Sequence, residues 1–117
     1  MADPASSGVI RKAEAHTRVP GPAGEHAISV LRRGTLDVKF AIRPAVPPVL
    51  DSPHTQDEVY VIVRGRGVLY HDGRRDAFDT GDLLYVAAGV PHRFEEYTPD
   101  LTVWVVFYGP HGGEVPA

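Results

Sequence analysis

The stretch Pro53-His54-Thr55-Gln56-Asp57-Glu58-Val59-Tyr60-Val61-Ile62-Val63-Arg64-Gly65 decides how this chain is read. It sets a histidine and a carboxylate four residues apart, directly ahead of an apolar run. Val59 to Val63 are all β-branched or aromatic, which predicts a strand rather than a helix, and Gly65 and Gly67 punctuate its end. On a straight strand, residues four apart stand about 13 Å from one another, too far for both to hold a single ion. Thr55-Gln56-Asp57 is therefore read as a bend that lets the side chains of His54 and Glu58 converge. Taken alone, the pair reads more readily as a solvated strand end with a surface histidine than as a metal site, so support has to come from elsewhere in the chain.

The rest of the composition limits what that support can be. At 117 residues the chain has the length of one domain, and 12 Gly and 11 Pro point to many turns and short strands. The absence of cysteine removes disulfides, thiolate metal sites and cysteine nucleophiles, leaving His and carboxylate as the possible ligands. A formal net charge of -3 with no run of Lys/Arg longer than two argues against nucleic acid as a partner. No apolar run approaches the ~20 residues needed to cross a bilayer, and Met1-Ala2-Asp3-Pro4 does not open a secretory signal. The expected address is the cytoplasm, with no membrane partner.

Residues 1–24 are rich in Ala, Pro, Gly and Ser without a sustained period, and are expected to be a flexible segment. Ala27 to Arg32 and Leu36 to Ile42 read as two strands around Arg33-Gly34. The proline-rich run from Pro44 to Pro53 reads as a stiff connection. Beyond the Val59–Val63 strand, Val68 to His71 and Arg75 to Asp79 flank Asp72-Gly73, the strongest hairpin signal in the chain. Leu83 to Val86, Pro91 to Glu96 and Leu101 to Tyr108 are three further strands. No helical period of useful length is visible. The expected fold is all-β, an antiparallel sandwich or small barrel over residues 25–110 with a tail at 111–117. The strands at 59–63 and 101–108 are apolar on both faces, so each is expected to lie between two layers or against a partner, and a homodimer follows.

With this order of strands in place, two halves of a pattern resemble the cupin superfamily. His54, Glu58 and Gly65 fit the second histidine, the glutamate and the glycine of its first motif. Gly81, Gly89 and His92 fit its second motif, glycine, five residues, proline, any residue, glycine, two residues, histidine. Fifteen residues separate Gly65 from Gly81, the short spacing of small microbial cupins, and the likeness spans roughly residues 26–108. Three positions depart: Ser52 stands for the leading histidine, Ala87 for the proline and Glu96 for the closing asparagine. The resemblance implies an antiparallel double-stranded β-helix, the cupin or jelly-roll barrel.

It also implies a divalent metal ion held by His54, Glu58 and His92, with iron, manganese, nickel, zinc and copper undistinguished. Glu58 and His92 are then the catalytic candidates. Ser52, Gln56, Tyr60, Ile62, Phe94 and Trp104 are expected to line a pocket for a small organic ligand, although such residues are more often simply core. Glu96 reads as a second carboxylate at the pocket or a solvated strand end, and His26, His71 and His111 as exposed. Three protein ligands leave open positions for oxygen, water or substrate, so an oxygen-dependent, dioxygenase-like enzyme is the first expectation. A non-enzymatic metal- or ligand-binding cupin is the second, and a metal-free isomerase or lyase using Glu58 or His92 as base the third.

Overall fold

The computed structural model describes residues 6–43 and 54–116. Eight strands follow one short helix: α1 (Lys12–Thr17), β1 (Ala27–Arg33), β2 (Leu36–Ile42), β3 (Asp57–Arg64), β4 (Gly67–His71), β5 (Arg74–Phe78), β6 (Leu83–Val86), β7 (His92–Glu95) and β8 (Thr102–Tyr108). Every strand expected from the sequence is present. They form a five-stranded sheet in the order β1-β2-β8-β3-β6 and a three-stranded sheet in the order β5-β4-β7. All pairings are antiparallel, as the double-stranded β-helix requires.

The period of two in each strand decides what meets in the middle. Tyr60 and Ile62 of β3, Val103 and Val105 of β8, and Val86 of β6 meet Leu69, Phe78 and Phe94 from the smaller sheet, all buried in one cluster. Tyr60 and Phe94 cross edge to face at 5.0 Å, and Phe94 meets Phe78 in the same way at 5.5 Å. The Asp72-Gly73 turn has both residues at positive φ, 49° and 81°, the backbone that lets a two-residue hairpin follow the strand twist.

Strand β8 is apolar on both sides because it has two covers. Its inward residues join the core, while Trp104, opposite Phe40 in β2, faces outward. There Phe40 and Trp104 pack edge to face at 4.7 Å, and a second cluster gathers Ala15, Val30 and Phe40 with Ile10, Val19, Ile28, Val38, Ile42 and Trp104 around it. Burying a side chain the size of Phe40 contributes about 1.5–3 kcal/mol.

Helix α1 therefore sits on the outer face of the large sheet, with Ala15 fully buried. The composition of residues 1–24 led to the expectation of a loose segment without helix. A six-residue helix is too short to show a period, and its anchor is a small residue that brings the backbone close, a role that hydrophobicity does not reveal. Among the described residues no helix is long and apolar enough to cross a membrane.

Candidate metal centre

The two sheets supply the site from opposite sides. Glu58 is the second residue of β3, opposite Phe107 of β8 and Val86 of β6, and points inward. His92 opens β7 in the smaller sheet. His54 lies in the loop ahead of β3, where its carbonyl accepts the backbone N–H of Gly89 at 2.8 Å. That bond ties the His54 loop to the turn that delivers His92. Residues 55 and 56 form the expected bend, and Asp57 already belongs to the strand.

The imidazoles are oriented by the same device. His54 Nδ1 lies 2.7 Å from the Gln56 carbonyl, and His92 Nδ1 lies 2.9 Å from the Val90 carbonyl. A carbonyl oxygen can only accept, so each Nδ1 carries a proton and donates it. In the neutral tautomer each Nε2 is then an acceptor, the state in which histidine ligates a metal.

Both Nε2 atoms face one carboxylate oxygen: His54 Nε2 is 2.6 Å, and His92 Nε2 3.3 Å, from Glu58 Oε1. Ligand atoms from all three residues lie within 4.8 Å of one another. Acceptors this close repel unless something positive stands between them, either an added proton or a cation. Donor atoms sharing one ion at roughly 2.1 Å stand about 3 Å apart, so the spacing fits a metal. Glu58 is 3% and His92 1% exposed, which shields the charges from water and strengthens their interaction. His54, half-buried, is the ligand nearest solvent. Its ring stands edge to face with those of His92 and Phe107, at 5.1 and 4.9 Å.

A cavity of about 230 Å³ adjoins this cluster, and His54, Glu58, Tyr60 and His92 all line it. The Tyr60 hydroxyl lies 3.2 Å from His92 Nε2, placing a proton donor beside the ligand set. The other expected pocket residues fall elsewhere. Ile62 and Phe94 are core. Trp104 is on the opposite face of the sheet, because its neighbour Val105 takes the inward position. Gln56 turns to a groove next door, where its Nε2 donates to the carbonyls of Thr35 and Gly109 at 2.9 Å each. Ser52 lies outside the described residues.

Of the remaining candidates, Glu96 is an exposed residue past the end of β7 at a φ of 48°, a solvated strand end. His71 is half-buried and bonds Asp76 at 2.6 Å, and His111 bonds Thr55 Oγ1 at 2.8 Å. Among the cavity residues that the sequence reading missed are two cations, Lys39 and Arg43. Alternation along β2 sets Lys39, Ala41 and Arg43 on one face and Val38, Phe40 and Ile42 on the other, a pattern that by itself points the cations to solvent; the pairing of β2 with β8 turns them inward.

Comparison with known proteins agrees with this geometry. The family model described as the Cupin domain matches residues 41–108, from β2 through β8. The chain belongs to the cupin family. A relative, an uncharacterized protein of Streptomyces coelicolor, is 43% identical to this cupin over 83 residues, covering 71% of this chain and 79% of its own. A Cupin 2 conserved barrel domain protein from Salinispora arenicola superposes with a TM-score of 0.58 at 21% identity, covering 71% of this chain and 74% of that one. A protein described as a candidate mannose-6-phosphate isomerase from Ralstonia eutropha gives a TM-score of 0.61 at 28% identity, covering 79% and 90%.

Proposed function

We propose that this cupin binds a divalent metal ion through His54, Glu58 and His92 and acts on a small organic ligand held in the adjoining cavity. The observation that carries the reading is the convergence of two Nε2 atoms, each with its Nδ1 proton committed to a backbone carbonyl, on one buried carboxylate. A bound ion with three protein ligands supplies open-site chemistry, in which a ligand and dioxygen or water can reach the metal together. Oxygen-dependent conversion of the ligand is accordingly the reaction class we favour.

The chain's own residues supply the rest. Val105, Phe107 and Ala41 form an apolar wall that excludes water from one side of the cavity. Tyr60 holds its hydroxyl beside His92, where it can give a proton to a ligand atom or orient it. A metal-free isomerase that uses Glu58 as base is the second reading, favoured by the 2.6 Å contact with His54, which would serve as its proton partner.

Cobalt(II) loading followed by elemental analysis and visible spectroscopy separates the two. The first reading expects near-equimolar cobalt with ligand-field bands that are lost in His92→Ala and Glu58→Ala. A parent protein that retains no cobalt, or variants that retain it fully, would overturn it.

We also propose a homodimer. Leu83 and Tyr85 of edge strand β6 are 64% and 53% exposed, and they stand opposite Val61 and Val59 on the outer face of the sheet. Helix α1 covers the β1-β2 end of that face, and a second copy would cover the β3-β6 end.

A further inference from the structure

His54 is the member of the triad that no strand carries. The ladder of β3 begins at Asp57, opposite Tyr108 of β8, so the bend at Thr55 and Gln56 that turns His54 towards Glu58 is not fixed by strand pairing. His54 lines the cavity of about 230 Å³ beside the triad and also a second one of about 370 Å³, shared with Thr55, Ala88, Gly89, His111 and Gly112. A loop that borders open space on two sides owes its position to hydrogen bonds more than to packing.

Residues 109–114, which follow β8, supply those bonds residue by residue. The Gly112 N–H donates to the Thr55 carbonyl at 2.7 Å, and the Thr55 hydroxyl meets His111 Nδ1 at 2.8 Å. Gln56 Nε2 donates to the Gly109 carbonyl at 2.9 Å, and the Glu114 N–H donates to Asp57 Oδ2 at 2.8 Å. Thr55, Gln56 and Asp57 are thus each tied to the same segment. On the other side, Asp57 Oδ1 accepts the N–H of Ala88 at 3.0 Å, and the His54 carbonyl accepts that of Gly89 at 2.8 Å. The Asp57 carboxylate, 2% exposed, therefore joins the segment to the turn that delivers His92. Backbone N–H groups that converge on a buried carboxylate are held firmly. The fit is close: a Cβ on Gly113 would stand 2.8 Å from Asp57 Oδ1 and 3.3 Å from Ala88 Cβ.

We propose that residues 109–114 are a strap that positions His54 against Glu58, with Asp57 as the residue that fastens it. What this means for an ion rests on the metal reading above, whereas the placement of the His54 ring does not. Asp57 lines neither cavity. It acts through the backbone that carries His54 and Glu58, and so serves the centre by orienting a ligand rather than by being one.

Gly112→Pro releases the strap without touching β3, because proline lacks the N–H and holds φ at about −65°, whereas Gly112 stands at 90°. Asp57→Ala releases it from the other side. Cobalt(II) is expected to bind each variant about tenfold more weakly than the parent, as loss of an orienting residue does, with ligand-field bands moved towards those of His54→Ala. Ala15→Leu, which strains the β1-β2 end of the sheet away from the site, should leave affinity and bands at their parental values. In metal-free protein, the Nδ1 proton that His54 donates to the Gln56 carbonyl should give a resonance that is lost to exchange in Gly112→Pro, while that of His92 Nδ1 persists. Parental cobalt affinity in both variants, survival of the His54 resonance, or loss of the two resonances together would overturn the proposal. If the parent protein took up no cobalt, the metal reading would fail, and the His54 resonance would decide the strap by itself.

Discussion

The carboxylate of Asp57 accepts the backbone N–H of Glu114 at 2.8 Å, fastening the end of the described chain to the strand that carries Glu58. Its other oxygen accepts the N–H of Ala88 at 3.0 Å. These bonds, that of Glu114 foremost, hold the Asp57 carboxyl below the ordinary carboxylate range. Asp57→Ala is expected to release the tail, seen as faster amide exchange over residues 112–116 and a lower melting temperature. An unchanged exchange rate would show that the bonds do not anchor it.

Gly113 offers an independent test of the same anchor. Its φ is 90°, and a Cβ there would stand 2.8 Å from Asp57 Oδ1. The left-handed backbone alone costs an L residue about 1–2 kcal/mol. Gly113→Ala should therefore destabilise by at least that much in urea unfolding, and less in the Asp57→Ala background, where the close contact is gone.

Removal of residues 1–24 should lower the melting temperature by exposing Phe40, Val30 and Trp104, which pack around Ala15. Ala15→Leu asks the same question without truncation, since overfilling a packed site costs about 1–3 kcal/mol. A truncated protein that melts with the parent would make the amino-terminal segment dispensable, as its composition alone would have it.

Glu95 supplies the pH-dependent case. Arg75 Nε donates to one of its oxygens at 2.9 Å and Arg93 Nε to the other at 2.6 Å, which pulls the Glu95 carboxyl down. A carboxyl lowered in the folded state adds stability above its unfolded pKa of about 4.3, and that stability is lost as pH falls through the folded value. Glu95→Gln should thus be less stable than the parent at pH 7, by a small margin because water screens these partly exposed groups. The two melting curves should draw together towards pH 3; a gap of constant size would exclude the ion pairs as its source.

Leu83→Asp should leave a folded protein and shift its mass by light scattering from dimer to monomer at micromolar concentration. A parent protein that is already monomeric would remove the homodimer.

Much of this architecture is legible in the sequence because β-strands announce themselves through β-branched residues and turns through Asp-Gly and Gly pairs. The sides of the strands were harder to read. Trp104 lies in a run, Thr102 to Tyr108, that is apolar at almost every position, so alternation could not say which parity faces the core, and β2 and α1 decided it through Phe40 and Ala15. His54, Glu58 and His92 could be picked out because they stand where the two cupin motifs place them relative to Gly65, Gly81 and Gly89. Lys39 and Arg43 carried no such marker. They face the cavity only because β2 lies beside β8, a pairing between residues far apart in the chain.

His92 comes from the smaller sheet and Glu58 from the larger, so a ligand held by both is also a crosslink between the two halves of the sandwich. A chain without cysteine has no covalent means of joining its layers, and here coordination could take that part, reversibly and in proportion to the free concentration of the ion. The sheets part when the domain unfolds, which would make the melting temperature a gauge of occupancy. Were an ion bound there, chelation would loosen the mouth of the cavity as well as empty it, and metal affinity and folding free energy would be two readings of one equilibrium.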